Sequence, residues 1–283
     1  VLCQTHHQAF EFFVSAIGLK SAFPLKIPMP EPLRIFGLVC FSLFAAELAC
    51  AESTQNIYNN PLTDIPAIQF QDYAQPFLRD ESGSGSNNPT LRAILPHKTF
   101  GIPQMLRASL PAAATAWSPS KTTTGFGDLE IFDVPLLESG SLRYGVGPLL
   151  VLPTATSKAL GDQVWQLGAE VVVSAPMRWG LLATLISYQQ PFGGQAPSFD
   201  FQPFLFYNLP GGYYLRSSAI SSVNLQQKNA VIPIGLGIGH IGQIPNKRAV
   251  LNVYLEPQYS VLQTGPGIPV FQVFAGFNIQ FPP

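Results

Sequence analysis

Charge is scarce in this sequence. Only 11% of its 283 residues are Asp, Glu, Lys or Arg, against about 25% in an ordinary soluble domain. The 15 basic and 16 acidic residues nearly cancel, leaving a formal net charge of −1. That excludes the electropositive face that nucleic acid or another polyanion would need. Cysteine is rarer still: Cys3, Cys40 and Cys50 are the complete set. The chain beyond Cys50 therefore holds no disulfide, no thiolate metal site and no cysteine nucleophile. Long apolar runs are missing too. A membrane-spanning helix needs about 20 consecutive apolar residues, and the run from Ile35 to Ala46 has only 12. Later runs such as Trp179–Tyr188 are shorter, so a bundle of membrane helices is excluded.

What the sequence does have is apolar surface and turn formers: 21 Phe, 9 Tyr, 27 Pro and 24 Gly. So little charge does not suit a surface bathed in water. The short apolar run follows Arg34 and leads into Glu47-Leu-Ala-Cys-Ala51, with small residues at Ala49 and Ala51. A basic start, a short apolar stretch and small residues before a cut describe a secretory signal peptide. The expectation is a signal peptide over 29–51, cut between Ala51 and Glu52, with 1–28 an upstream segment of doubtful status. Residues 52–65 are then an N-terminal periplasmic segment, and 66–283 a single domain.

That domain alternates. In the stretch from Ala249 to Val261 the odd positions Leu251, Val253, Leu255, Tyr259 and Val261 are apolar, while Asn252, Glu256, Gln258 and Ser260 lie between them. Phe271, Val273, Ala275, Phe277, Ile279 and Phe281 similarly oppose Gln272, Asn278 and Gln280. Trp165, Leu167, Val171 and Val173 oppose Gln166 and Glu170. Side chains on a strand point alternately to opposite faces, so each segment has one greasy side and one polar or small side. Segments of about ten residues are the length a tilted strand needs to cross a bilayer. Twelve can be read between Pro66 and Phe281. Across the last nine, short links such as Glu138–Ser141 and Pro176–Met177 alternate with longer ones such as Pro153–Gln163. Outer-membrane barrels sort their links this way, with short periplasmic turns and longer outside loops. The fold class expected is all-β: a transmembrane up-and-down antiparallel β-barrel of about twelve strands, with both ends of the chain in the periplasm.

The stretch from Gly145 to Trp165 superficially resembles a phosphate-binding loop. A Walker loop needs Lys before Ser/Thr and a following helix, whereas Ser157 precedes Lys158 and a strand pattern follows. Gly145 and Gly147 lack the third glycine of a dinucleotide loop. In strands, such glycines sit where a barrel bends or where bulky interior groups need room.

Several segments carry a family resemblance. Arg107-Ala-Ser-Leu-Pro111, Gly125-Phe-Gly-Asp-Leu-Glu-Ile131, Tyr144-Gly-Val-Gly-Pro-Leu-Leu-Val-Leu-Pro-Thr-Ala-Thr156 and Leu160–Val173 occur in this order. Phe201–Leu215 and Ile232-Pro-Ile-Gly-Leu-Gly-Ile-Gly-His-Ile-Gly242 follow. Together they resemble the outer-membrane barrel transporters labelled as meta-pathway phenol-degradation proteins, over roughly Pro61 to Phe281. The resemblance implies passive passage of small, hydrophobic or aromatic, compounds. One departure is that the last aromatic, Phe281, is followed by Pro282-Pro283.

The functional candidates are the polar residues that alternation sets away from lipid: Glu130, Arg143, Glu170, Asp200, Gln202, Arg216, Glu256 and Gln258. Charge facing lipid at the midplane would cost about 2–4 kcal/mol per Lys or Arg, so inward placement is expected. Two roles stay open for them: selecting solutes, or pairing with one another to neutralise the interior. His97 and His240 are isolated, without metal-ligand spacing, and His240 suits a headgroup-depth position. The aromatic runs Phe199–Tyr207 and Tyr213–Tyr214, with Trp165 and Trp179, suit interfacial girdles; an apolar slide for solutes is the rival reading. No catalytic residue, metal or cofactor is expected. The expected partners are outer-membrane lipid, a small solute and the barrel-assembly machinery. An outer-membrane enzyme acting on lipid, a closed structural barrel and a soluble lipid-binding β-protein are the alternatives.

Overall fold

The computed structural model describes residues 53–193, 197–224 and 229–283; the expected signal peptide lies outside them. A short helix, α1 (Thr54–Asn59), is capped by Ser53, whose side chain accepts from the Asn56 N–H at 3.1 Å. Twelve strands follow. They are β1 (Ala67–Leu78), β2 (Gly85–Asn87 and Thr90–Thr99), β3 (Ile102–Pro111 and Ala114–Ser118) and β4 (Lys121–Gly125, Leu129–Pro135 and Leu137–Ser139). Next come β5 (Leu142–Leu152), β6 (Gln166–Pro176), β7 (Gly180–Pro191) and β8 (Ser198–Asn208). The last are β9 (Tyr213–Ser217 and Ser221–Asn224), β10 (Asn229–Gly235 and Gly237–Gln243), β11 (Val250–Thr264) and β12 (Pro269–Gln280). Prolines such as Pro89 break several of them, since proline has no N–H to give the ladder.

Each strand pairs antiparallel with its sequence neighbours, and β1 pairs with both β2 and β12, so the sheet closes. The closing seam runs from Ala67↔Gln280 to Leu78↔Pro269. Closure satisfies every edge, which is the condition for β-structure in lipid. Both ends of the chain's strand set, before β1 and after β12, lie at the same end of the cylinder, here termed the terminal end. The opposite, loop end carries the longest link, 153–165.

The sequence reading places a long loop over 262–269, but β11 runs on to Thr264 and β12 starts at Pro269. The ladder continues above the wall because pairing satisfies backbone groups that an open loop would leave to water.

The outer wall is apolar. On β10 the outward positions Ile232, Ile234, Leu236 and Ile238 are 41–69% exposed. Leu255, Leu205, Val146, Leu95 and Ile68 continue the belt. An exposed apolar surface of this extent demands a partner, and hydrocarbon is what a closed barrel offers it. Trp179 stacks on Tyr207 at 6.1 Å, and the tilted rings of Tyr213 and His240 meet at 4.5 Å, near the terminal end. Trp165, Tyr188, Phe199 and Tyr259 are exposed toward the loop end. Rings at both rims match the girdles expected at headgroup depth.

The aromatic runs divide, however. Phe199, Phe201, Tyr207 and Tyr213 point out, whereas Phe206 and Tyr214 are buried inside at 4% and 0% exposure. Assigning each whole run to a girdle was too coarse: alternation applies to aromatic residues as to any others.

Candidate functional site: the barrel interior

The interior is not uniform. One side of the inner wall is a dry core: Ile94, Met105, Phe132, Val134, Leu149, Val172 and Leu185 are at most 5% exposed and pack together. This apolar inner face was missed by the sequence reading, since a strand apolar on both faces shows no alternation. The remaining interior, toward β1, β2 and β8–β12, is polar.

The segment before β1 enters at the terminal end. Leu62 is 1% exposed and joins the dry core, and Tyr58 packs on a second cluster of Leu181, Phe206, Tyr214, Ile241 and Val250. Amides pin it on several sides. Asn56 donates to Met177 O at 3.0 Å, Gln55 to Leu209 O at 3.0 Å, and Asn208 to Ser53 Oγ and Asn56 Oδ1 at 2.8 Å each. Asn252 donates to Asn59 Oδ1 at 2.9 Å, and Gln280 to Tyr58 O at 3.0 Å. Gln55 and Asn56 thereby satisfy carbonyls of the turns at the barrel mouth.

All eight candidates lie on the inner face, but not in one constellation. Arg216 donates to Glu256 at 2.8 Å and to Ser218 Oγ at 2.6 Å, and its guanidinium lies 3.8 Å from the centre of the Tyr254 ring. Glu256, fully buried, also accepts from the Ser218 N–H at 2.8 Å, the Ser218 hydroxyl at 2.7 Å and Gln258 at 2.9 Å. Gln272 donates to Gln258 at 2.5 Å, Gln75 to Gln272 at 2.8 Å and Ser86 to Gln75 at 2.7 Å. Thus a continuous polar track climbs the inner wall from Arg216 to the loop end.

Glu130 belongs to a second group, paired with Arg107 at 3.4 Å and accepting from Gln189 at 3.2 Å. Glu170 is fully buried near Arg107, opposite Ser187. Gln202 donates to Ser218 O at 2.8 Å, and Ser222 donates to Asp200. Arg143 stands apart at the terminal rim, paired with Glu138 at 3.0 Å. Sequence reasoning missed Arg92, Arg107, Tyr73, Gln75, Gln272 and Ser218. Tyr73 and Gln75 keep period two with Gln71, and Arg107 with Met105, which was the available signal for those three.

Two cavities lie in series along the polar side. The outer one, about 510 Å³, opens toward the loop end and is lined by Gln75, Asn88, Ala116, Asp200, Ser222 and Gln272 among others. The inner one, about 100 Å³, is lined by Arg92, Arg107, Arg216, Gln71, Tyr254 and the Tyr58–Pro61 stretch among others. Tyr73 and Ile220 line both. A third, about 350 Å³, sits at the terminal rim between Leu62, Asp64, Pro103, Glu138 and Arg143.

Some ionisable groups break the inward rule. His97, isolated in the sequence, meets Asp133 at 3.1 Å on the outer face near the terminal end, because strand pairing carries β2 and β4 to either side of β3. Asp72 also faces out, with the Asn87 amide oriented to donate to it at 2.8 and 3.0 Å. Both carboxylates keep a polar partner, as burial against lipid requires. His240, its ring against Tyr213, is on the outer wall and hydrogen-bonds to none of the interior polar set. Among the described residues no group of three or more His, Cys, Asp or Glu is placed to hold a metal ion.

No family model and no curated protein matches the sequence. Solved structures do. The COG4313 outer membrane channel from Pseudomonas putida F1 superposes with a TM-score of 0.60 at 13% identity, over 82% of this chain and 100% of that one. The fold is that of an outer-membrane β-barrel. A KdgM porin solved in complex with disordered oligogalacturonate covers 76% of this chain and 99% of its own, at 10% identity and a TM-score of 0.44. At these identities the likeness concerns the backbone, so the side-chain arrangement of this barrel stands on its own geometry.

Proposed function

We propose that this chain is an outer-membrane barrel through which small solutes pass passively, without cofactor or ATP, and that it is delivered there by a cleaved signal peptide. Its partners would be outer-membrane lipid, the barrel-assembly machinery and the solute itself. The observation that carries the reading is the reversal of polarity: an apolar exterior encloses a polar track beside two cavities that share Tyr73 and Ile220 in their walls. In a soluble β-protein the polar side faces water outside. The resemblance to the meta-pathway phenol-degradation barrels supports solutes that are hydrophobic or aromatic. The Arg216–Glu256 and Arg107–Glu130 pairs leave little net charge on the wall, which argues against a strong ionic filter from charge alone.

The N-terminal segment fills the terminal mouth, and this favours a channel that rests in a narrow state. The test is electrical. Detergent-purified protein in a planar bilayer should give discrete, small conductance steps in potassium chloride. A barrel that inserts, shown by heat-modifiable migration on a gel, yet stays silent under all voltages would instead be a closed structural barrel. Release from membranes without detergent would return the chain to the soluble class.

A further inference from the structure

The inner cavity is one-sided in the charge that it presents. Three guanidinium groups line it, from Arg92, Arg107 and Arg216, and no carboxylate does. The counter-charges are turned away. Glu256 is wrapped by Arg216, Ser218 and Gln258, Glu170 is fully buried, and Glu130 is taken up by Arg107 and Gln189. Arg92 differs from the other two: its hydrogen bond is to a neutral partner, Ser109 Oγ, at 2.9 Å. A guanidinium offers five donors in a planar fork, so Arg92 retains donors after that bond.

A second observation is independent of charge. Among the buried atoms without a hydrogen-bond partner are three donors from residues lining this cavity: Arg107 Nε, Asn59 Nδ2 and Asn60 Nδ2. Those residues are 8%, 9% and 4% exposed. Two acceptors, Asn278 Oδ1 and Gln280 Oε1, are unpaired as well, and a water molecule suits them. Buried polar groups without partners are costly, and the residues that carry these donors share the cavity lining with Arg92 and Arg216. Ile94, Phe204, Phe206, Phe274 and Ile220 give the lining an apolar part, beside neutral polar groups such as Gln71, Gln202 and Tyr254. A volume of about 100 Å³ falls short of the roughly 150 Å³ of a cavity that takes benzene.

We infer that the inner cavity is a binding site for a small organic carboxylate, its head on the guanidinium side and a short apolar body against Ile94, Phe204 and Ile220. Carboxylate and guanidinium match in planar, two-pronged geometry. A cation of the same size faces three guanidinium groups there and has no carboxylate to replace its water. The inference rests on the channel reading and names the class of solute that the constriction favours.

Butyrate and butylammonium are matched probes of opposite charge. In single-channel recordings, butyrate should interrupt the chloride current in a concentration-dependent way, and butylammonium should not. Arg92→Gln should raise the half-blocking butyrate concentration about tenfold, a loss of about 1.4 kcal/mol. Arg92→Lys should fall between the two, and Lys121→Gln, at the loop-end rim, should match the parent. Equal block by both probes, or unchanged butyrate block in a folded Arg92→Gln protein, would overturn the site while leaving the channel intact. If no current appears at all, the channel reading fails separately. Thermal unfolding in detergent then decides: butyrate should raise the Tm of the parent and not of Arg92→Gln, and the absence of that difference refutes the site.

Discussion

Leu62 offers the sharpest handle on the N-terminal segment. It is 1% exposed and packs into the dry core with Ile94, Met105 and Phe132. The hydrogen bonds that hold the same segment come from amides that can find water if it leaves. Truncating a buried leucine to alanine costs about 2–5 kcal/mol, the spread reflecting how far the site collapses. The loss falls mainly on docking of the segment, because the barrel's own ladder does not run through Leu62. At about 1.4 kcal/mol per factor of ten, Leu62→Ala should multiply the released-to-docked ratio by roughly 30 to several thousand. Leu62→Met, which keeps volume, should cost less than about 1.5 kcal/mol and stay close to the parent. The assay is single-channel recording at fixed voltage, scored for open dwell time and for the size of the largest conductance level. Both should rise in Leu62→Ala and not in Leu62→Met, while heat-modifiable migration shows an intact barrel in each. An intact Leu62→Ala barrel with the parent's dwell times and conductance would mean that the segment does not obstruct the path, and the narrow resting state would have to be abandoned.

Other consequences can be checked on the folded barrel. Ile234→Arg places a guanidinium on the lipid face at a position 61% exposed; refolding into lipid vesicles should lose about 2–4 kcal/mol if the residue sits near the midplane, and a neutral result would deny hydrocarbon contact there. Glu256→Gln strands Arg216 in the interior, and breaking one side of a buried pair costs about 3–5 kcal/mol. The double variant Glu256→Gln with Arg216→Met should recover part of that loss, with a thermodynamic cycle in detergent as the readout; strict additivity would show that the two residues are uncoupled. At Gly239 an added Cβ would stand 2.2 Å from the Tyr214 ring, so Gly239→Val should lower the gel-shift midpoint temperature, consistent with an overpacking cost of about 1–3 kcal/mol. An unchanged midpoint would mean that the ring moves aside freely.

How much of this was legible in the sequence follows from the range of each interaction. Alternation is local, so the strands and their lipid faces could be read from composition every second residue: Val253, Leu255 and Tyr259 out, Asn252, Glu256 and Gln258 in. Strand count followed, and so did inward placement of the eight polar candidates. Their partners could not be read. Gln75 meets Gln272 across 197 positions of chain, and Asn252 meets Asn59 across 193, through a closure that no window of sequence contains. The dry half of the interior was hidden for a different reason. Near the terminal end Phe132, Val134, Leu149 and Val172 have apolar residues on both faces of their strands around them, and the polar residues that mark the inside, Glu130 and Glu170, lie further toward the loop end.

The glycines join these two cases. In Ile232–Gly242 they recur at Gly235, Gly237 and Gly239, and a repeat of that kind resembles a flexible loop. An added Cβ at each would collide with Glu256, with the Leu255–Glu256 backbone or with Tyr214. The repeat is thus the negative image of the Arg216–Glu256 network and of the Tyr214–Asn252 bond, written one strand away from the groups that need the space. The absence of side chains on β10 and the presence of charge on β11 are one packing decision. A larger residue at Gly235 or Gly237 should therefore perturb Glu256 before it perturbs the strand that carries it.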